Sequence, residues 1–237
     1  MPPKIHRSAT PTAVAEDFAR FFAETVRKQP DFTVALSGGS TPKLLFQHWA
    51  EAYRDRIDWS NIHFFWGDER CVPPNDPESN FGVTDDLLLQ HLDLSPDNIH
   101  RIHGEADPPE EVQRYATEIE VNTRSVNGLP QFDLIILGMG SDGHTASIFP
   151  HQLELWNKKT PTVLATHPET GQQRISLSGQ VINNAKQVAF LVTGESKRKK
   201  VKGIFGESQE SKQWPAAHVK PTSGQLHWFV DEASWPA

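Results

Sequence analysis

The sequence predicts an α/β protein, namely a three-layer α/β/α sandwich on a mostly parallel central sheet. Short apolar runs typical of buried strands alternate along the 237 residues with segments whose apolar side chains recur at helical spacing. Several of these runs lead directly into glycine-containing turns. Because no repeat, low-complexity tract or long linker interrupts the alternation, we expect a single α/β domain over residues 1–237.

The helices are predicted from apolar periodicity and from their start and stop signals. The first begins at Thr10 and Pro11, with proline at the first helical position, and is expected to end at Pro30. Others are expected after the glycine turn at 38–42, over 80–91, from Pro109, over 180–185 and from Lys197 to about 205.

The strands are predicted from short apolar runs bounded by turn residues. They are expected at 33–37, 62–66, 134–137, 162–166, 174–177, 187–193 and 226–230. A loop rich in Pro, Asn and Asp is expected over 73–78.

The first strand end with unusual chemistry is Ser37-Gly38-Gly39-Ser40-Thr41-Pro42, where a strand passes through glycines into a helix. Free backbone N–H groups and the helix dipole would make this turn a phosphate site at Gly38, Gly39, Ser40 and Thr41. The alternative is a plain turn with Ser40 or Thr41 as the N-cap. The Gly-Lys-Ser/Thr of a nucleotide P-loop is missing.

Two further strand ends carry charge. Asp68-Glu69-Arg70 follows the strand at 62–66, and Arg70 could clamp a phosphate or carboxylate. Lys197 follows the strand at 187–193 and starts a helix, where a cation is unfavourable unless an anion compensates it. The alternative, which spacing alone favours for Lys197, is that these residues belong to solvated charge runs. For Lys197 that run includes Arg198, Lys199 and Lys200.

The fourth strand end combines glycines with a histidine. Leu134–Leu137 leads into Gly138-Met139-Gly140-Ser141-Asp142-Gly143-His144, which places a general base where α/β sheets bind ligands. The spacing Gly138-x-Gly140-x-x-Gly143 also matches the dinucleotide fingerprint. That alternative is disfavoured, because Pro150 prevents a long helix and the strand at 162–166 is followed by His167 rather than an acid.

Carboxyl ends of parallel strands lie on one edge of a sheet, so these loops can converge. Convergence would assemble an anion cradle, two cations and one base. Such a site suits a hydrolase or isomerase for a phosphorylated small molecule, with the phosphate as a handle and His144 at the reacting carbon.

Composition excludes several other classes of protein. The formal net charge of −7 argues against nucleic acid and anionic membranes as partners. Cys71 is the one cysteine, and no run of 18 apolar residues occurs, so we expect a cytoplasmic protein. The sequence shows no cluster of metal ligands, because no Cys or carboxylate completes a ligand set with His100 and His103. We therefore expect no metal and no cofactor. A monomer or small homo-oligomer is expected.

These motifs, in this order, resemble the glucosamine-6-phosphate isomerase/6-phosphogluconolactonase superfamily, in its lactonase branch. The resemblance covers nearly the whole chain. The segments that carry it are residues 36–42, 67–73 with 79–80, 137–150, 173–177, 193–197 and 227–233.

The resemblance implies hydrolysis of 6-phospho-D-glucono-1,5-lactone to 6-phosphogluconate in the oxidative pentose phosphate pathway, without a metal. It also implies that His144 is the catalytic base and that Arg70 and Lys197 hold the anionic substrate. The sibling activity, deamination with isomerisation of an amino-sugar phosphate, is associated with a glutamate where this chain has Phe149, and with tyrosine where it has Arg70. Both departures favour the lactonase.

The complete expected site adds three residues. Asp142 would orient His144 or shape its turn, and Asp68 and Arg174 would join the substrate-binding groups. In the mechanism, Gly39, Ser40, Arg70 and Lys197 hold the phosphate. A sugar-phosphate sensor that binds ligand without turning it over remains the non-enzymatic alternative.

Overall fold

The computed structural model describes residues 2–29 and 31–236, so the expected helix stop at Pro30 lies outside the described residues. The strands, numbered along the chain, are β1 Lys4–Ser8, β2 Phe32–Leu36, β3 Ile62–Trp66, β4 Asp68–Arg70, β5 Ile99–His100, β6 Arg124–Val126, β7 Leu129–Gln131, β8 Leu134–Leu137, β9 Thr162–Thr166, β10 Gln173–Leu177, β11 Gln187–Val192 and β12 Gln225–Asp231. The α-helices are α1 Pro11–Val26, α2 Ser40–His48, α3 Asn80–Leu87, α4 Pro108–Asn122, α5 Gly179–Asn184 and α6 Arg198–Phe205.

The central sheet has seven strands in the order β1-β12-β11-β8-β2-β3-β5, and every neighbouring pair is parallel. Neighbouring residues of β12 show how it is covered on both faces. Phe229 packs edge-on against Phe18 of α1, whereas Trp228 packs against Phe205 of α6. The predicted α/β sandwich with a mostly parallel sheet is therefore confirmed.

The strand order reverses between β8 and β2. From β2 the chain moves outward to β3, whereas from β8 it moves in the opposite direction to β11. Loops that follow strands on either side of such a reversal diverge and leave a crevice at the carboxyl edge of the sheet. The four loops singled out in the sequence follow β2, β3, β8 and β11, which are neighbours around this crevice.

Two sequence expectations need correction. Asp68–Arg70, expected to be loop, forms β4, and β4 pairs antiparallel with β10. β9 and β10 pair antiparallel with each other and lie outside the parallel sheet. The reason is the short link over 167–172, because a parallel crossover needs about a dozen residues or more. This second sheet brings β4 and β10 beside the crevice.

Smaller differences concern element boundaries. The expected helix over 80–91 ends at Leu87, because Leu88 leaves helical geometry, and a short 3₁₀ turn follows. Lys197 ends a 3₁₀ turn, and α6 begins one residue later. No helix follows Gly143; the chain turns tightly through an isolated bridge between Thr145 and Ile148. The long helix that the dinucleotide fingerprint requires after its third glycine is therefore missing.

The first strand, β1, was not predicted. It is an edge strand with the polar sequence Lys-Ile-His-Arg-Ser, and it pairs with β12 near the end of the chain. Its His6 Nε2 lies 3.1 Å from Nδ1 of the buried His227. Within the described residues, no helix is long and apolar enough to cross a bilayer.

We predict an acid sensitivity from this histidine pair. Burial, followed by the charges of His6 and Lys4, lowers the pKa of His227 to about 4. The unfolded chain therefore binds a proton more readily than the folded one. The resulting stability should be complete above about pH 6.5 and be lost as the pH falls through about 4, by about 3 kcal/mol between pH 7 and pH 4.

Urea unfolding at pH 7, 5.5 and 4 measures this dependence, and His227→Phe should make it shallower. His91→Phe, at an exposed position, is the control and should leave the pH slope unchanged. An unchanged slope in His227→Phe would contradict the assignment.

Candidate active site

The crevice at the carboxyl edge of the sheet holds a cavity of about 210 Å³. All of the site residues predicted from the sequence except Asp142 line it, namely Gly38, Gly39, Ser40, Thr41, Asp68, Arg70, His144, Arg174 and Lys197. Asp142 does not line the cavity itself but contacts the His144 ring, which does. Asn80, Met139, Ala146 and Thr193 also line the cavity and were not predicted to do so.

The turn after β2 presents the N-terminus of α2 to the cavity. Gly39, not Ser40 or Thr41, is the N-cap; it adopts φ 116°, and no side chain caps the helix. The hydroxyl of Thr41 is instead within 2.7 Å of the Thr193 hydroxyl. Because the first N–H groups of the helix have no side-chain acceptor, the turn is suited to an anion.

The floor of the cavity depends on close packing at Gly38. A Cβ atom built on Gly38 would lie 1.9 Å from Oδ1 of Asn80. The Asn80 amide donates to the carbonyl oxygen of Asp68 at 3.0 Å and therefore joins β4 to the glycine turn. Asn80 could have been found from sequence only through its place at the start of α3, after the N-cap Ser79.

His144 and Asp142 form a hydrogen-bonded pair. Asp142 Oδ1 accepts from His144 Nδ1 at 2.6 Å and from the His144 backbone N–H at 3.0 Å. Asp142 thus both orients the ring and shapes the turn, which were alternatives from the sequence. With the proton held on Nδ1, the neutral ring keeps an unprotonated Nε2, the form that a general base requires.

The electrostatics of the pair keep Asp142 ionised. Burial raises the pKa of its carboxyl, but the hydrogen bonds and charge of His144 outweigh burial and bring the pKa to about 2. The pair is held close by Gly140, where a Cβ would lie 2.2 Å from the imidazole ring. A permanent carboxylate at Nδ1 would stabilise an imidazolium formed during a reaction.

Phe149 packs against both the histidine and a cation. Its fully buried ring lies 4.7 Å from the His144 ring, and the Arg174 guanidinium lies 5.7 Å from its centroid. An apolar ring here cannot transfer protons. It contacts two of the predicted site side chains and stands at the position where the sibling activity is expected to use a glutamate.

Three cations face the cavity and form no salt bridge to a carboxylate within residues 2–29 and 31–236. Arg70 and Arg174 are paired residues of β4 and β10, and Lys197 approaches from the loop after β11. Burial, then the charge of Arg70, lowers the pKa of Arg174, and burial lowers that of Lys197. Both shifts indicate that a bound anion would be stabilised.

Asp68 is the acidic member of the cavity wall. It is buried and accepts a hydrogen bond of 2.6 Å from the Ser147 hydroxyl. Ser147 N–H donates to Ser176 of β10 at 3.1 Å, so the loop that carries His144 is tied to the second sheet. Through Ser147, Asp68 therefore links the loop that carries His144 to the strands that carry the two arginines.

The basic run after β11 is not uniformly solvated. Lys197 lines the cavity, Lys199 is exposed, and Lys200 Nζ lies 3.8 Å from the centroid of the Trp214 ring. Lys199 is thus the appropriate control for Lys197. Among the described residues, no group of three or more His, Cys, Asp or Glu side chains is placed to hold a metal ion.

Fold and cavity together define an α/β protein with a crevice lined by cations and a histidine–aspartate pair. Residues 6–228 match the family described as glucosamine-6-phosphate isomerases/6-phosphogluconolactonase. The chain belongs to this family.

Individual relatives agree with that assignment. The 6-phosphogluconolactonase of Haemophilus influenzae is 48% identical over 85% of this chain and 85% of its own length. That of Treponema pallidum is 44% identical over 84% of this chain and 83% of its own length. The solved structure of 6-phosphogluconolactonase from Trypanosoma brucei has a TM-score of 0.86 at 28% identity, and the match covers 98% of this chain and 97% of that one.

We predict that Gly38→Ala destabilises the protein by about 1–3 kcal/mol, because the new methyl group must displace Asn80 or the glycine turn. Gly138→Ala is the matched control in the same cavity, since its Cβ would meet no atom closer than 3.8 Å. Chemical denaturation of both variants measures the effect. Equal stability of the two would show that the site tolerates displacement of Asn80.

Proposed function

We propose that this protein is a 6-phosphogluconolactonase, which hydrolyses 6-phospho-D-glucono-1,5-lactone to 6-phosphogluconate in the oxidative pentose phosphate pathway. The observation that carries the proposal is the His144–Asp142 pair beside three cations that lack carboxylate partners among the described residues. The relatives that bear this name, at 44–48% identity over most of both chains, support it. We further propose a cytoplasmic protein made of one domain.

In the proposed mechanism, the cations and the glycine turn hold the phosphate, and this places the lactone carbonyl near His144. Arg70, Arg174 and Lys197 provide charge-assisted hydrogen bonds, and Gly39 and Ser40 contribute the N-terminus of α2. Binding energy from the remote phosphate then orients the reacting carbon without touching it.

The chemical step needs one base and a stabilised oxyanion. His144 Nε2 removes a proton from water as the water oxygen attacks C1. The tetrahedral oxyanion is stabilised by the cationic, partly buried surroundings and by free backbone N–H groups. The imidazolium, stabilised by Asp142, then returns the proton to the ring oxygen as the C1–O bond breaks.

The sibling deaminase activity lacks a comparable supporting observation. Moving protons between sugar carbons needs a second acid–base group beside the histidine, and the adjoining position is the buried ring of Phe149. The direct test is a coupled assay with freshly prepared 6-phosphogluconolactone and with glucosamine-6-phosphate. Turnover of the lactone above its spontaneous rate is expected. Binding without turnover would indicate a sensor, and turnover of only the amino sugar would indicate the sibling activity.

We expect His144→Gln to lower kcat by about 10²–10⁴-fold, because glutamine cannot accept the proton from water. Binding of 6-phosphogluconate should change little, since the cations remain. Stopped-flow assay of the lactone and calorimetry of the product measure the two quantities. Near-normal turnover by a correctly folded variant would exclude His144 as the base.

We expect Lys197→Ala to lower kcat/KM for the phosphorylated lactone by about 10–150-fold, the value of one charge-assisted hydrogen bond of roughly 1.5–3 kcal/mol. Lys199→Ala, in the same basic run but exposed, should have little effect. The loss should shrink for the unphosphorylated lactone, which has no phosphate for Lys197 to hold. Equal effects of both lysine variants would mean that only general surface charge matters.

A further inference from the structure

Glu69 is a buried carboxylate between two residues of the cavity wall. Side chains alternate along β4, so Asp68 and Arg70 face the cavity while Glu69 points to the opposite side, where it is 1% exposed. It takes part in none of the salt bridges found among residues 2–29 and 31–236.

The Glu69 carboxylate accepts four hydrogen bonds. Oε1 accepts from the backbone N–H groups of Arg70 and Asn80, each at 2.8 Å. Oε2 accepts from the Ser79 hydroxyl at 3.0 Å and from the Phe81 N–H at 2.8 Å. Burial raises the pKa of this carboxyl, and the three backbone N–H groups oppose the rise. The carboxylate thus joins β4 to the N-terminus of α3, where negative charge is favourable.

The segment that Glu69 binds, at the start of α3, also contacts residues that line the cavity. The carbonyl oxygen of Glu78, one residue before Ser79, accepts a hydrogen bond from Arg70 Nη1. Asn80 binds the Asp68 carbonyl and fills the space beside Gly38. If the start of α3 moves, the Arg70 guanidinium loses its acceptor, and the glycine turn loses the side chain against which it packs.

We propose that Glu69 is a positioning residue for phosphate recognition: its carboxylate fixes the start of α3 and thereby sets Arg70, Asn80 and the glycine turn in the geometry that holds the phosphate. The inference rests on the proposed lactonase function. It assigns to Glu69 no contact with substrate, and it predicts that losing the carboxylate affects the phosphorylated lactone specifically.

The test is Glu69→Gln, which keeps the side-chain volume but replaces one acceptor oxygen by an NH₂ group that faces donors. KM for 6-phosphogluconolactone should rise about tenfold, the effect of roughly one misplaced hydrogen bond, while kcat changes by less than about threefold. For the unphosphorylated gluconolactone, kcat/KM should stay within about twofold of wild type, since that substrate does not use the phosphate site.

Glu111→Gln is the matched control. Glu111 is also a buried carboxylate, 2% exposed, which accepts from the His103 N–H and from Arg114, but it does not line the cavity. Its variant should lower the thermal midpoint without changing KM. A second variant, Ser79→Ala, removes one donor to Glu69 and should raise KM for the phosphorylated lactone in the same direction by a smaller factor.

The outcomes separate the two proposals. Equal losses for both lactones, or an unchanged KM, in Glu69→Gln would overturn the positioning role. If Glu69→Gln does not fold, an unchanged KM in Ser79→Ala overturns it instead. If wild-type protein hydrolyses neither lactone, the lactonase function fails. The Glu69 proposal is then decided by calorimetry, in which Glu69→Gln should weaken binding of 6-phosphogluconate but not of gluconate.

Discussion

The site depends first on the reversal of strand order between β8 and β2. Because neighbouring loops diverge there, a crevice opens at the carboxyl edge of the parallel sheet, and the loops after β2, β3, β8 and β11 all reach it. The separate antiparallel sheet then adds Arg70 from β4 and Arg174 from β10. The fold thereby gathers groups that lie more than 100 residues apart in sequence.

In the crevice, the positively charged side chains and the carboxylate of Asp142 have different partners, and the proposed chemistry follows from this difference. The buried or half-buried cations Arg70, Arg174 and Lys197 lack carboxylate partners among the described residues and therefore attract an anion. The carboxylate of Asp142 is instead bound to His144, where it fixes the tautomer and supports an imidazolium. The apolar ring of Phe149 packs against both His144 and Arg174. In the proposed mechanism, the cations anchor the phosphate and the His144–Asp142 pair transfers the proton.

Sequence reasoning succeeded where the signal was local. The four strand ends were predicted because apolar runs, glycines and charged residues lie next to one another in the chain. The edge strand β1 was not predicted, because its sequence is polar. It forms a strand only by pairing with β12, which lies more than 200 residues further along the chain. The role of Asn80 and the second sheet were missed for the same reason, as they depend on contacts between β4, α3 and β10. Asp142 was predicted as a site residue, but its two hydrogen bonds to His144 depend on the fold of the turn, which the sequence does not specify.

The most direct test of the account is a crystal structure of the protein with 6-phosphogluconate bound. We expect phosphate oxygens at hydrogen-bonding distance, about 2.7–2.9 Å, from Lys197 and Arg70, and the C1 carboxylate within about 3.5 Å of His144 Nε2. The phosphate should also approach the uncapped N-terminus of α2. A product bound with its carboxylate among the cations and its phosphate at His144, or bound outside this crevice, would contradict the account.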